Sequence, residues 1–248
     1  MFRNKCEFAI GLNPENRRLT VGFKLDPRSA APDVGPVEHL RHVPDKMKMV
    51  AHFLERCLRS TNYKHFDYQT GTGHWVTAVV RITLKRETLI ILNFVPQQLS
   101  AFELKNIKRG LRNFFEYGDG RQCDVTSLNF SEKSVSGPGS LDNLYGADTV
   151  AETLFSMEFL ISARAYFCVN TAGEGTLTQR DDNCDDNRCG NPDHRGVRVS
   201  QTAQVLLTST SNYAMCTRKN SLIYTMCVER KCHGSWSKKT FLSNIRHT

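Results

Sequence analysis

Two clusters near the end of the chain contain residue types that bind metal ions. Their spacings are Cys184-x4-Cys189-x4-His194 and Cys227-x4-Cys232-His233. Zinc takes about four nitrogen or sulfur ligands, usually from cysteines about two to four residues apart, so these spacings lie at the edge of the usual range. Four aspartates beside the first cluster favour harder ions. Two alternatives follow, a small zinc-binding adaptor or polar filler without metal, and the weak metal candidates are Cys184, Cys189, Cys227 and Cys232.

Glycine-rich segments are the second pattern with chemical meaning, because glycines let a backbone approach a nucleotide cofactor. The chain contains Gly137-Pro138-Gly139 and Gly173-Glu174-Gly175. Neither segment is set between a clear strand and a clear helix, as a cofactor loop would be. The sequence therefore predicts no cofactor-binding residues in this chain.

The charge balance favours anionic partners, since the 248 residues carry a formal net charge of +8. Residues 1–174 hold 22 Lys and Arg against 19 Asp and Glu, whereas residues 175–248 hold 11 against 6. The first part is thus only mildly basic. A basic patch that holds RNA phosphates and a solvated surface of mixed charge both fit these numbers.

Cysteine usage indicates the compartment. The chain has nine cysteines, an odd number, and is too long to need disulfide staples. Reduced thiols and an intracellular location are therefore expected. The longest apolar stretch, residues 88–95, is far shorter than the ~20 residues of a membrane span, so we expect no membrane partner.

Strands that could position these residues are indicated by apolar, β-branched runs between turn residues. The predicted strands cover residues 3–10, 19–25, 75–83, 88–95, 125–130 and 153–161. The first four form two hairpins, which turn at Asn13-Pro14-Glu15-Asn16 and Lys85-Arg86-Glu87. Residues 26–44 contain four prolines and no apolar period, and residues 134–140 are a polar Gly/Pro/Ser run, so both are predicted to be loops.

Two amphipathic helices are predicted between the strands. Pro44 suits a first helical turn, and the apolar residues from Met47 to Leu58 follow i, i+3, i+4 spacing, which predicts a helix to about Ser60. Ser100 and Glu103 form a capping box at the start of the second helix, which ends in the glycine-rich residues 117–120.

The resulting order, β-β-α-β-β-α-β-β, predicts an α+β domain with an antiparallel sheet and two helices on one face. This pattern stops after Gly173. We therefore expect one domain over residues 1–173, followed by an unrelated, irregular or partly disordered tail over residues 174–248.

Several short segments occur in an order and at spacings that resemble a known family. They are Phe2-Arg3-Asn4-Lys5-Cys6-Glu7-Phe8, Val21-Gly22-Phe23, Gly73-His74-Trp75 with Val80-Arg81, Pro96-Gln97-Gln98-Leu99-Ser100 with Glu103-Leu104, and Ile161-Ser162 with Tyr166-Phe167-Cys168-Val169-Asn170-Thr171-Ala172-Gly173. Together they resemble the RNA uracil-C5 methyltransferases, most closely the animal tRNA (uracil-5-)-methyltransferase homologs. The resemblance covers about residues 2–173.

The resemblance implies an enzyme that methylates C5 of a tRNA uridine with S-adenosylmethionine. In that family a cysteine thiolate adds to C6 of the flipped uracil, and a glutamate removes the C5 proton. The family's glycine-rich cofactor turn and its Ser-Cys-Asn-Pro nucleophile segment are not found in this sequence. We therefore expect no Rossmann-like methyltransferase domain, no catalytic residue and an inactive chain. The alternatives are an RNA-binding fragment with weak tRNA affinity or the zinc-binding adaptor.

Candidate RNA-binding residues are carried over from the matched segments. Arg3, Lys5 and Arg81 could contact RNA phosphates, or form ordinary solvated strand edges. Phe167 could stack near a base, or pack in a core, and Asn170 belongs to the same segment. Cys168 replaces the family's glutamine, and a thiol cannot supply both an amide donor and a carbonyl acceptor. A small, partly buried residue is therefore favoured there over a nucleophile.

Overall fold

A computed structural model of the chain describes residues 3–27, 33–133, 139–154, 157–167 and 169–170, together with the backbone of four short strands beyond residue 214. The chain divides into two compact units, one over residues 2–150 and the other over residues 151–248 with Met1. The first unit contains the elements for which the sequence has the clearest signals.

The first unit alternates pairs of strands with single helices. Its elements are β1 Lys5–Leu12, β2 Leu19–Lys24, β3 Val34–Gly35, α1 Asp45–Arg59, β4 Trp75–Ile82, β5 Thr88–Phe94, α2 Ala101–Glu116, a 3-10 helix Asp119–Cys123, β6 Ser127–Glu132 and β7 Leu141–Gly146. Both predicted hairpins and both predicted helices are present. The short strands β3 and β7 were not predicted.

The sheet of this unit is mixed, and the expectation of an antiparallel sheet is wrong. Seven strands lie in the order β3-β2-β1-β4-β5-β6-β7. β5 and β6 pair in parallel, with Ile90 opposite Leu128, while the other strand pairs described in this sheet are antiparallel. The physical reason is α2. A helix between two neighbouring strands returns the chain to the end where the first strand began, so the second strand runs in the same direction.

The core lies on the face of the sheet that carries both helices. Alternate residues of β1, such as Phe8 and Ile10, are buried in one cluster with α1 residues and with Ile107 and Leu111 of α2. Trp75 of β4 is fully buried there. Its ring lies 4.7 Å from that of Phe94 at an angle of 70°, an edge-to-face arrangement that stabilises aromatic pairs.

Helix α2 is held by side-chain contacts at its start and near its middle. The Ser100 hydroxyl accepts from the Glu103 amide at 3.3 Å, and the Glu103 carboxylate accepts from the Ser100 amide at 2.8 Å, which confirms the predicted capping box. Lys108 Nζ donates to Glu132 at 2.6 Å and to Asp142 at 2.5 Å. One lysine thus ties α2 to both β6 and β7.

The second unit contains a separate sheet. β8 Thr149–Leu154 begins at the end of the first unit and is followed by β9 Met157–Ser162, β10 Met215–Thr217 and β11 Ile223–Thr225, in the order β11-β10-β9-β8. β12 Lys231–Cys232 and β13 Ser235–Trp236 pair with each other. Neither α-helix in the described ranges combines the length and the apolar character that a membrane-spanning helix requires.

Candidate nucleic-acid interface

Three of the predicted RNA-binding residues meet at one end of the β1–β4 pair. Lys5 begins β1 and lies directly opposite Arg81 near the end of β4. Residues opposite each other in an antiparallel pair point to the same face of the sheet. Arg3 precedes Lys5 by two residues and is exposed. The strand register therefore brings Arg81 beside Lys5, from which it is distant in sequence, and Arg3 lies close by along the chain.

The environment of this basic cluster, Arg3, Lys5 and Arg81, differs from that of a solvated strand edge. Arg81 is only 3% exposed, and its guanidinium donates to Oδ1 of Asn4 at 3.3 Å. Burial, together with the positive charge of Arg81, lowers the pKa of Lys5, whereas the Glu7 carboxylate acts in the opposite direction. Lys5 is thus partly buried beside the positive charge of Arg81.

Next along the same face, polar side chains form a short chain of hydrogen bonds. Asn93 donates to the Thr77 hydroxyl at 2.7 Å, and Thr77 donates to Glu7 Oε1 at 3.0 Å. Glu7, Thr77 and Lys24 line a shallow cavity of about 360 Å³. The Glu7 carboxylate is therefore oriented by Thr77 beside the basic cluster.

The remaining predicted RNA-binding residues lie in the second unit. Phe167 is 2% exposed, and its ring lies 5.4 Å from that of Phe159, which is the packing of a core residue. Asn170 is partly buried. Cys168 lies outside the described residues, as do Cys184, Cys189 and Cys227; of Cys232 only the backbone, in β12, is described.

Cysteines with described side chains have the environment of structural residues. Cys6, Cys57 and Cys123 are free and buried. Burial raises the pKa of Cys6 and raises the pKa values of Cys57 and Cys123 to about 12. A nucleophilic cysteine needs a lowered pKa, so these three thiols stay protonated near neutral pH. Among the described side chains no group of three His, Cys, Asp or Glu residues is placed to hold a metal ion.

One glycine of the two candidate cofactor segments, Gly139, lies among the described residues. Gly139 lies before β7, and a Cβ there would meet the Glu132 carbonyl oxygen at 1.7 Å. This glycine therefore permits the close approach of the chain between β6 and β7, which is a structural use. Gly173 and Gly175 lie outside the described residues. Of these two segments, the described part therefore offers one glycine, and its use is structural.

A cleft that was not predicted lies at the end of α1. It has a volume of about 450 Å³. The lining residues are Leu12, Leu19, Leu58, Arg59, Thr61, Asn62, Tyr63, Lys64 and His65. Burial lowers the pKa of His65; Asp67 opposes this change, whereas Arg17 and Lys64 add to it. The sequence signal that could have found the cleft is the mixture of basic and aromatic residues at 59–65, directly after a helix end.

Comparison with characterised sequences gives relatives of one kind. Over 182 residues, or 71% of the chain, it is 35% identical to human tRNA (uracil-5-)-methyltransferase homolog A, of which this stretch covers 29%. Over 183 residues it is 34% identical to mouse tRNA (uracil-5-)-methyltransferase homolog B, of which it covers 37%. The chain therefore spans about a third of the length of these relatives. No protein-family model matches it.

A solved structure shares the fold. The tRNA (uracil-54, C5)-methyltransferase of Pyrococcus abyssi, in complex with S-adenosyl-L-homocysteine, matches with a TM-score of 0.52 at 14% identity over 72% of this chain and 40% of that one. The expectation of a fold without a methyltransferase-like domain is therefore wrong. That expectation rested on missing sequence motifs, whereas a fold depends on strand order and packing, which tolerate extensive sequence change. Over about 71% of its length the chain is therefore similar in sequence to the tRNA (uracil-5-)-methyltransferase homologs, and it shares its fold with the archaeal enzyme.

Proposed function

We propose that this chain takes part in C5-methylation of tRNA uridine and that its first unit contributes contacts to the RNA. The observation that carries the proposal is the 35% identity to a tRNA (uracil-5-)-methyltransferase homolog over 71% of the chain. The basic cluster supports it, because a partly buried group of cations is stabilised by phosphate oxygens. tRNA is the RNA that the names of the relatives indicate.

Within the cluster, the three cations have different parts in the proposed contact. Arg3 is exposed and can reach a phosphate directly. Lys5 lies opposite Arg81, and a phosphate that contacts Lys5 relieves the repulsion between the two charges. Arg81 is buried and bonded to Asn4, so it acts as a positioning residue that holds the start of β1. In the second unit, Asn170 remains a candidate contact, whereas the burial of Phe167 favours a core role.

Methyl transfer by this chain alone is not part of the proposal. In the family S-adenosylmethionine supplies the methyl group, and a cysteine thiolate starts the reaction. The three described thiols have raised pKa values and are buried. We therefore infer that the described residues bind and position RNA without attacking the uracil, in the reduced intracellular setting that nine cysteines suggest.

The test is a titration of a tRNA transcript with the full chain at several salt concentrations. Binding that weakens with salt is expected, because phosphate contacts release counterions. Arg3→Ala and Lys5→Ala should each reduce the slope of log affinity against log salt by about one, whereas the exposed Lys133→Ala should not. Absence of tRNA binding at low salt would contradict the proposal. A second measurement, transfer of labelled methyl groups from S-adenosylmethionine to tRNA, should stay at background.

The zinc-binding adaptor remains the alternative for residues 174–248. It requires that Cys184, Cys189, Cys227 and Cys232 or their neighbouring histidines hold a metal. Purified protein would then contain about one zinc ion per chain and would lose structure with a chelator. Metal analysis that finds no zinc, with an unchanged circular dichroism spectrum after chelation, would remove this alternative.

A further inference from the structure

We propose that the cleft at the end of α1 binds one unpaired nucleotide of RNA, with its base on the leucine floor and its phosphate at Lys64. This inference rests on the proposed function and names a second contact, separate in sequence from the basic cluster. The cleft volume of about 450 Å³ falls within the ~300–1,000 Å³ typical of small-ligand sites.

The loop that forms one wall of the cleft is held by backbone hydrogen bonds to β4. The carbonyl oxygen of Lys64 accepts from the amides of His74 and Trp75 at 2.9 and 3.1 Å. The amide of Phe66 donates to the Trp75 carbonyl at 2.7 Å. These bonds fix residues 64–66 on the start of β4, so a ligand meets a preformed wall and little conformational entropy is lost on binding.

The floor of the cleft suits a planar, largely apolar group. Leu58 is fully buried, and Leu12 and Leu19 are partly buried. The ring of Tyr63 packs edge-on against His74 at 5.2 Å and against Phe94 at 6.0 Å, which fixes its orientation. A base would bury apolar surface against Leu12 and Leu19, which Leu58 supports from below, and would meet the ring of Tyr63, as is usual where proteins hold unstacked bases.

Polar recognition of the base can come from Asn62. This residue is exposed and lines the cleft. Its amide offers both a donor and an acceptor, which matches the edge of a nucleobase. An acidic peptide would contact mainly the cations of the cleft. A nucleotide would also use the apolar floor and the Asn62 amide, so these two features favour a nucleotide.

The charge at the rim is suited to one phosphate. Arg59 is held by Glu55 at 2.5 Å and by the Leu19 carbonyl at 2.7 Å, and Arg17 lies 3.9 Å from Asp33. The negative charge of Asp67 opposes the lowering of the His65 pKa. Lys64 is exposed and, within the described part of the chain, forms no ion pair with a carboxylate. Its ammonium is therefore the cation with the capacity for a phosphate, and the fixed Arg59 adds to the positive potential.

The experiment compares the full chain with its Lys64→Gln and Lys64→Glu variants, and Lys133→Gln is the matched control. Lys133 is also exposed, and it follows β6, which is separated from β1 by β4 and β5 in the sheet. The probes are a fluorescent single-stranded uridine pentamer, a blunt RNA duplex of the same charge and a tRNA transcript. Urea unfolding shows that each variant is folded.

We expect Lys64→Gln to weaken pentamer binding on the order of tenfold, the value of one charge-assisted hydrogen bond. Lys133→Gln should change pentamer binding little, and Lys64→Gln should change duplex binding little. A 4-thiouridine pentamer should cross-link to the peptide that contains Tyr63. The inference would be overturned if Lys64→Gln and Lys133→Gln weakened pentamer binding equally, or if the chain preferred an acidic peptide to the pentamer. In either case, tRNA binding by the unchanged chain would still support the proposed function. Failure of the unchanged chain to bind any RNA would overturn both.

Discussion

Lys5 and Arg81 lie directly opposite each other across the antiparallel pair of β1 and β4. Like charges in such a position repel, and here one of them is buried. Burial and the positive charge of Arg81 lower the pKa of Lys5, whereas the Glu7 carboxylate opposes this change. The pair thus concentrates positive charge at one end of β1 and β4, which is why it is central to the proposed RNA contact.

Substitution of Lys5 should separate stability from binding. Lys5→Met keeps an apolar stem of similar length and removes the repulsion, so the free energy of unfolding at pH 7 should stay unchanged or rise, by at most the ~0.2–1 kcal/mol scale of a cross-strand pair. RNA affinity should fall. Urea unfolding and a tRNA titration check both outcomes, and a clear loss of stability would show that the Lys5 ammonium has a partner in the folded chain.

The pH dependence of the same pair has a definite sign. Because the folded state lowers the pKa of Lys5 below its ordinary value of 10.5, the unfolded chain binds more protons in the window between the two pKa values. The stability of the unchanged chain relative to Lys5→Met should therefore increase as the pH rises toward 10.5. A difference that stays flat up to pH 10.5 would argue against this environment for Lys5.

Lys108 should show the opposite behaviour. Burial alone would lower its pKa, but hydrogen bonds to Asp142 and Glu132 and their charges raise it. Lys108→Met should lower the free energy of unfolding by about 1–3 kcal/mol, because two carboxylates lose a charged partner. The cost should be present below pH 10.5 and should disappear at higher pH, where the lysine loses its proton. Lys105→Met, at an exposed position of the same helix, is the control in urea unfolding and should be nearly neutral.

The capping box predicts a smaller effect at the start of α2. Ser100→Ala removes the acceptor for the Glu103 amide and should cost about 0.5–2 kcal/mol. Hydrogen bonds from the side chain and backbone of Ser100 hold the pKa of Glu103 below its ordinary value of 4.5. The contribution of Glu103 to the free energy of unfolding is therefore present above pH 4.5 and is lost as the pH falls through the lowered pKa. Thermal unfolding between pH 3 and pH 6 should show this loss in the unchanged chain and a smaller loss in Ser100→Ala, which keeps the backbone amide of residue 100 as a donor to Glu103.

Local signals explain which parts of the fold could be predicted. The period of the apolar residues in α1 and the capping box of α2 depend on neighbours within about four positions, and both helices were predicted correctly. The parallel pairing of β5 with β6 depends on where α2 returns the chain, which no local pattern contains. Likewise, Arg81 was recognised as a basic strand residue, but its burial arises from the packing of distant segments.

The cleft was missed for a related reason. Its floor comes from β1, β2 and α1, and its wall comes from the loop after α1, so its lining residues are gathered from three separate segments. A sequence shows the basic and aromatic residues of the loop, but it does not show the leucines that face them. The loop is held in place by backbone hydrogen bonds to β4, and these depend on a glycine beside the strand.

Gly73 is the residue that allows the loop to approach β4. Its φ is +93°, and a Cβ there would meet the His65 carbonyl oxygen at 1.9 Å, a backbone atom that cannot move without the loop. Gly73→Ala should therefore lower the free energy of unfolding by more than the ~1–2 kcal/mol expected for an alanine in a left-handed conformation. It should also displace the loop that carries Lys64. Single-stranded RNA affinity should fall together with stability.

Gly71→Ala provides the matched control for this prediction. Gly71 also has a positive φ, of +66°, but nothing lies within 4 Å of a Cβ built there. The variant should show only the backbone strain, about 1–2 kcal/mol, and should keep the affinity for the uridine pentamer. Urea unfolding and fluorescence anisotropy of both variants measure the two effects separately. If the two variants lose the same stability and the same affinity, the close approach at His65 does not shape the cleft, because strain alone would then account for both results.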